Sequence, residues 1–138
     1  MVSAYDFMPT LLDYLHLDAP ERPQLPGRSF ARVLEGEQQP LDESAPVVVF
    51  DEYGPVRMIR TREWKLVHRY PDGPDELYDL VNDPGERDNR IDEPALQALR
   101  QAMQARLTHW FDCYVDPALD GSREDVRGGG QLTSHSFK

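Results

Sequence analysis

The sequence holds a single cysteine, Cys113, so no internal disulfide can form and no cysteine-rich metal site can exist. It has no apolar run near the roughly 20 residues that a membrane-spanning helix needs. It has little positive charge. Fifteen Lys and Arg face 25 Asp and Glu, for a formal net charge of -10. A surface of that sign repels phosphate backbones and anionic lipid, so neither nucleic acid nor a membrane is expected as a partner. The opening Met1-Val2-Ser3-Ala4-Tyr5-Asp6 lacks the basic-then-apolar pattern of a secretory signal. A cytoplasmic location is therefore expected, unless a longer parent carries a leader upstream. Internal repeats are absent too. What remains, 138 residues with 39% apolar and 29% charged side chains, suits a globular chain with a modest core.

Met8, Leu11, Leu12 and Leu15 recur at helical spacing, which predicts a first helix over about 6–17. Asp6 is the expected N-cap, with Pro9 in the first turn, where its missing N–H costs nothing. Between 18 and 46 the periodicity dissolves under Pro20, Pro23, Pro26, Pro40 and Pro46. One short helical turn is expected after Ser29, carrying Phe30, Val33 and Leu34 inward. A connection this long is unusual in a small domain and makes more sense as a strap across a larger body.

Four strand candidates follow, at 47–53, 56–62, 64–70 and 76–80. The links between them are Gly54-Pro55, Arg62-Glu63 and Pro71-Asp72-Gly73-Pro74. Such short links allow only antiparallel pairing, so a four-stranded meander is expected. Trp64, Leu66, His68 and Tyr70 alternate with Lys65, Val67 and Arg69, and Val56 and Met58 share a face opposite Ile59. Both faces thus carry apolar residues. After the turn Asn82-Asp83-Pro84-Gly85, a helix is expected over about 93–114, capped by Asp92 and with Pro94 in its first turn. Its stripe is Leu96, Leu99, Met103, Leu107, Trp110 and Tyr114. Packing of that stripe on Trp64 or Met58 and on Leu66 gives the expected fold class. This is α+β: a four-stranded antiparallel sheet packed by a C-terminal helix, preceded by a short helix and a long proline-rich connection. Three segments result: 1–46, 47–117, and a polar, Gly-rich tail, 118–138, expected to be mobile.

Few residues invite chemistry. Asp51 and Glu52 are neighbours in a strand and point to opposite faces, so they converge on nothing. His16, His109 and His135 have no ligand spacing. Cys113 is read as a buried, inert thiol beside the helical stripe. His68, on the face of Trp64 and Leu66, reads first as a hydrogen-bonded core histidine. Arg57, Arg60, Arg62, Lys65 and Arg69 are the basic exception, concentrated on two strands, where cross-strand pairing with acids is the ordinary reading. Gly128-Gly129-Gly130 lacks the strand and helix context of a phosphate loop and reads as linker.

The run from Val2-Ser3-Ala4-Tyr5-Asp6-Phe7-Met8-Pro9-Thr10-Leu11-Leu12-Asp13-Tyr14-Leu15 resembles a recurrent segment of sulfatases. Leu25-Pro26-Gly27-Arg28-Ser29-Phe30 with Leu34-Glu35-Gly36 is similar to the next segment of that family. Trp64-Lys65-Leu66-Val67, Glu76-Leu77-Tyr78-Asp79-Leu80, Asp83-Pro84-Gly85-Glu86 and Asn89 resemble its C-terminal sheet and following turn. The matches keep family order and run to about Tyr114. The resemblance implies the C-terminal part of an alkaline-phosphatase-like sulfuric-ester hydrolase. It implies calcium and a formylglycine for the full-length parent, and the parent's missing catalytic domain as partner. None of that machinery is here. No Cys- or Ser-x-Pro-x-Arg motif occurs, Cys113-Tyr114-Val115-Asp116-Pro117 does not match it, and the paired aspartates of the cation site are missing. No catalytic residue and no metal ligand is assigned, and the chain alone is expected to be inactive. In the parent, Arg57, Arg60, His68 and Arg69 are the candidates for a wall of the anionic substrate pocket, since guanidinium grips sulfate oxygens two at a time. The other reading is a free-standing module that homo-oligomerises through its sheet.

Overall fold

The computed structural model describes residues 1–18, 25–37, 45–51, 56–70, 73–118 and 120. These fall into two units, Met1–Val47 and Val48–Lys138.

The first unit opens with a capping box. The Ser3 hydroxyl accepts the Tyr5 N–H, and the Asp6 carboxylate accepts the Ser3 N–H, closing a single 3-10 turn at Ala4–Asp6. Helix α1, Phe7–Tyr14, follows with Asp6 at its N-cap position and Pro9 in its first turn. Asp6 makes no side-chain cap to α1, because its carboxylate is committed elsewhere. It accepts the Arg28 N–H at 2.8 Å as well as that of Ser3. The Thr10 hydroxyl donates to the Asp6 carbonyl at 2.5 Å and accepts the Phe30 N–H at 3.1 Å. Asp13 accepts from the Ser29 hydroxyl. The polar residues 6, 10 and 13, one helical face, thus hold the returning chain. Gly27 makes that return possible. Its φ is +145°, and a Cβ there would lie 2.2 Å from the Tyr5 carbonyl oxygen.

The apolar face of α1 points the other way. Phe7, Met8, Leu11, Tyr14 and Leu15 are all exposed, Phe7 by 66%. The short helix after Ser29 exists as α2, Ala31–Leu34, but its expected orientation is wrong. Ala31 is the buried residue, while Val33 and Leu34 are exposed. The reason is geometric. The Phe30 and Ala31 N–H groups are tied to Thr10 and Ser29, which turns the start of α2 toward α1 and its later residues outward. Pro20, Pro23 and Pro40 lie outside the described residues.

In the second unit, four strands run β1 Val47–Asp51, β2 Val56–Arg60, β3 Trp64–Arg69 and β4 Glu76–Asp79, in the order β1-β2-β3-β4. The sheet is antiparallel. Ile59 faces Leu66, and Leu66 faces Leu77, giving a row of fully buried side chains across three strands. The Gly54-Pro55 and Pro71-Asp72 turns lie outside the described residues. Beyond β4, Asp83 gathers the N–H groups of Arg87 and Asp88. The chain then runs back along the free edge of β4. Leu77 donates its N–H to the Asn89 side chain, and its carbonyl accepts the Arg90 N–H at 2.8 Å. That loop closes an edge which would otherwise offer unpaired donors and acceptors.

A 3-10 turn at Pro94–Leu96 leads into helix α3, Gln97–Tyr114. Asp92 is not its cap. Leu96 stands at that position and Glu93 at the start of the 3-10 turn, and the Glu93 carboxylate is held by the Arg90 guanidinium through two bonds of 2.7 Å. The core joins Val48, Ile59, Leu66 and Leu77 of the sheet to Met103, Leu107 and Phe111 of α3. Phe50 packs edge-on to Phe111, with ring centroids 5.3 Å apart. Trp64, Leu99 and Trp110 flank this core. Met58 does not join it, because it alternates with Ile59 and lies on the other face. Phe111 takes the place expected of Tyr114, which is 39% exposed.

Candidate functional site

Register divides the four candidate side chains between two faces. Arg57 and His68 are direct partners across β2 and β3, on the face that α3 covers. Arg60 and Arg69 occupy the opposite face. Arg60 is exposed and makes no ion pair among the described residues. Arg69 pairs with Glu76 at 2.7 Å and donates to the Pro74 carbonyl. On that same face Lys65 pairs with Glu86. Burial and the neighbouring Glu76 push the Tyr78 phenol above its ordinary range. The second face is therefore mostly neutralised, and the four candidates do not converge on one site.

The first face holds two adjoining features. His68 is no core histidine. Its imidazole is partly exposed, and Nδ1 lies 3.0 and 3.2 Å from the two oxygens of Asp75. Asp75 is fixed in turn by the Arg69 N–H at 3.0 Å. The Asp75 carboxylate fixes the orientation of the ring through Nδ1. The pair lines an open cleft of about 770 Å³ beside α3, which contributes Arg100, Gln101, Gln104, His109 and Asp112. Two amides, a guanidinium, two imidazoles and two carboxylates make this lining polar and of mixed sign, suited to a polar ligand with hydrogen-bonding groups.

The second feature is Arg57. Its guanidinium lies 3.7 Å from the centre of the Phe111 ring and 5.0 Å from that of Tyr70. A terminal nitrogen is ion-paired with Asp120. Both side chains are largely buried.

Sequence reasoning missed Asp75, Arg100 and Asp120. Asp75 was within reach, since it sits across the β3–β4 turn from His68. Asp120 was not, because 63 residues separate it from Arg57. Cys113 is a correction: it is exposed, with its sulfur 3.6 Å from His109 Nε2. Two residues beyond Phe111 is about 200° of helical rotation, which takes Cys113 to the solvent side. Among the described residues no three His, Cys, Asp or Glu side chains gather as a cation would need. Among the described residues nothing fits calcium, and the sequence carries no Cys- or Ser-x-Pro-x-Arg from which a formylglycine could arise.

The likeness to known proteins is extensive. The family model for the C-terminal region of N-sulphoglucosamine sulphohydrolase matches residues 1–112. The chain is 34% identical over 125 residues to a Delta 4,5-hexuronate-2-O-sulfatase of Bacteroides thetaiotaomicron, which covers 86% of this chain and 24% of that protein. A solved structure in complex with its substrate D-glucosamine-2-N,6-O-disulfate superposes with a TM-score of 0.66 at 27% identity, over 86% of this chain and 25% of the other. A phosphonate monoester hydrolase of Agrobacterium radiobacter gives a TM-score of 0.59 at 28% identity, over 78% of this chain and 24% of that one. The chain thus spans about a quarter of the length of the proteins it matches. A model that runs from Met1 through most of α3 takes in both units, and the chain belongs to the family of N-sulphoglucosamine sulphohydrolase C-terminal domains.

Proposed function

We propose that the chain is the C-terminal part of a sulfatase-like sulfuric-ester hydrolase. It completes the fold of that enzyme, contributes side chains to its substrate pocket, and performs no hydrolysis alone. The carrying observation is the inversion of α1. Its polar face is used inside the unit, while Phe7, Leu11, Tyr14 and Leu15 lie exposed. An exposed apolar stripe on a helix that is already polar within suits a surface built to meet another body. The catalytic domain of the parent is the partner that the quarter-length match supports.

For the pocket, His68 with Asp75 and Arg100 supports recognition of a sulfated sugar, the substrate class printed in the names of two relatives. Arg57 belongs to the same face. Arg60 and Arg69 serve a pocket only if the parent presents the other face to it. The likeness to a phosphonate monoester hydrolase makes phosphonate esters the competing class. The test is hydrolysis of 4-nitrophenyl sulfate and of a 4-nitrophenyl phosphonate ester by the purified chain, with and without calcium. No turnover is expected, and turnover of either would overturn the reading. In the whole parent, His68→Ala is expected to raise KM more than it lowers kcat.

A second reading, self-association through the sheet, is favoured by one observation. On β1, Val49 alternates with the buried Val48 and presents a side chain that is 50% exposed on the face away from α3.

A further inference from the structure

Arg57 is oddly served for a buried cation. Its side chain is 15% exposed and stacked on Phe111. Nη2 is ion-paired with Asp120, but Nε is enclosed and has no hydrogen-bond partner among the described residues. A guanidinium offers a planar fork of donors that matches two oxygens of one anion. Asp120 engages that fork through a single terminal nitrogen. The stacked rings hold the fork rigid and exclude water from one side. The site therefore has its cation, its orientation and a spare inward donor, and it has an occupant that uses only part of it.

We infer that Arg57 is an oxoanion-binding residue whose position the chain fills with its own Asp120 carboxylate, so that a free oxoanion and Asp120 compete for it. The ligand class is a sulfate or carboxylate group, with one oxygen on Nη2 and another on Nε. Only residues of the second unit enter, so the inference holds whether or not the chain serves a sulfatase. Competition makes the coupling reciprocal. An oxoanion at Arg57 loosens Asp120, and removal of the Asp120 charge tightens the oxoanion.

The experiment follows the Arg57 Nε–H resonance of the full ¹⁵N-labelled chain. Sodium sulfate and sodium acetate are titrated separately at constant ionic strength against sodium chloride, because sulfate also stabilises proteins non-specifically. Wild type should respond weakly. Asp120→Asn and Asp120→Ala should respond saturably, about tenfold or more tighter, which is within the usual range of coupling between two sites. Sulfate above acetate would assign a tetrahedral oxoanion, and the reverse a carboxylate. The double variant D120N/R57Q, read through the backbone amides of Tyr70 and Phe111, should not respond to either. The inference is overturned if wild type and the Asp120 variants respond alike, or if the folded variants do not saturate. It is also overturned if the response survives R57Q. Loss of the folded sheet in both Asp120 variants would overturn it too, since Asp120 would then be a structural counter-charge.

Discussion

The carboxylate of Asp6 accepts the backbone N–H of Arg28 at 2.8 Å, 22 residues further along the chain. With its other oxygen on the Ser3 N–H, this one buried side chain joins the start of the first unit to the segment that leads into α2. Asp6→Ala strands both donors and should destabilise the first unit by about 2–3 kcal/mol. Asp6→Asn, which keeps one acceptor, should recover part of the loss. Amide hydrogen exchange at Arg28 and Phe30 reads the effect, and protection equal to wild type in Asp6→Ala would refute it.

The apolar face of α1 should behave in the opposite way. Leu11→Lys and Leu15→Lys change exposed positions and should alter stability by no more than about 0.5 kcal/mol. They should reduce association. We expect the wild-type chain at micromolar concentration to sediment above the 15.9 kDa of one copy, and the double variant to sit closer to it. A wild-type mass at the monomer value across that range would show that exposed α1 and β1 are insufficient for self-association.

Met103 is 2% exposed, in the centre of the α3 contact with Leu66 and Leu77. Met103→Asp buries a charge without a partner and should cost more than about 4 kcal/mol, enough to unfold the second unit at room temperature. Both tryptophans, Trp64 and Trp110, flank that core, so their fluorescence follows the transition. A variant that melts with wild type would place the core elsewhere.

Acid should weaken the second unit in a specific way. The Asn82 side-chain amide, then the Asn82 and Val81 N–H groups and the Arg90 guanidinium, hold the Asp79 carboxyl below its usual range. Asp83 is lowered by the N–H groups of Asp88 and Arg87, and Glu93 by Arg90. A carboxylate with a depressed folded value contributes stability that is present above its unfolded value, near pH 4, and lost as pH falls through the folded value. The melting temperature should therefore drop as pH falls below about 4. Asp79→Asn should remove part of that slope while lowering stability at neutral pH. An identical slope in wild type and Asp79→Asn would exclude Asp79 as a contributor.

The sheet and the last helix were legible because local chemistry dictates them. Short turns such as Arg62-Glu63 leave antiparallel pairing as the only route, and the alternation of Leu66 and Val67 assigns the two faces. The residues resembling sulfatases also sit in local runs, at the capping box of Ser3 and Asp6 and at the Asn89 that closes β4. The direction in which a helical face points was a different matter. Periodicity groups Met8, Leu11 and Leu15 but does not say whether they turn in or out. Hydrogen bonds from Ser29 and Phe30 to Asp13 and Thr10 decided that. The same bonds turned Val33 and Leu34 outward.

The candidate site divides likewise. Sequence alone determined that Arg57 and His68 would lie on neighbouring strands and that the catalytic nucleophile motif is missing, since both follow from residue order. Only tertiary structure decided that the Ile59 face of β2, and not the Met58 face, lies against α3, which puts Arg57 beside His68 and Arg60 away from it, and that Asp120 meets Arg57. A contact across 63 residues leaves no local pattern. It is set by where α3 ends after packing on the sheet, and that packing is the sum of many small apolar contacts rather than the property of any one segment.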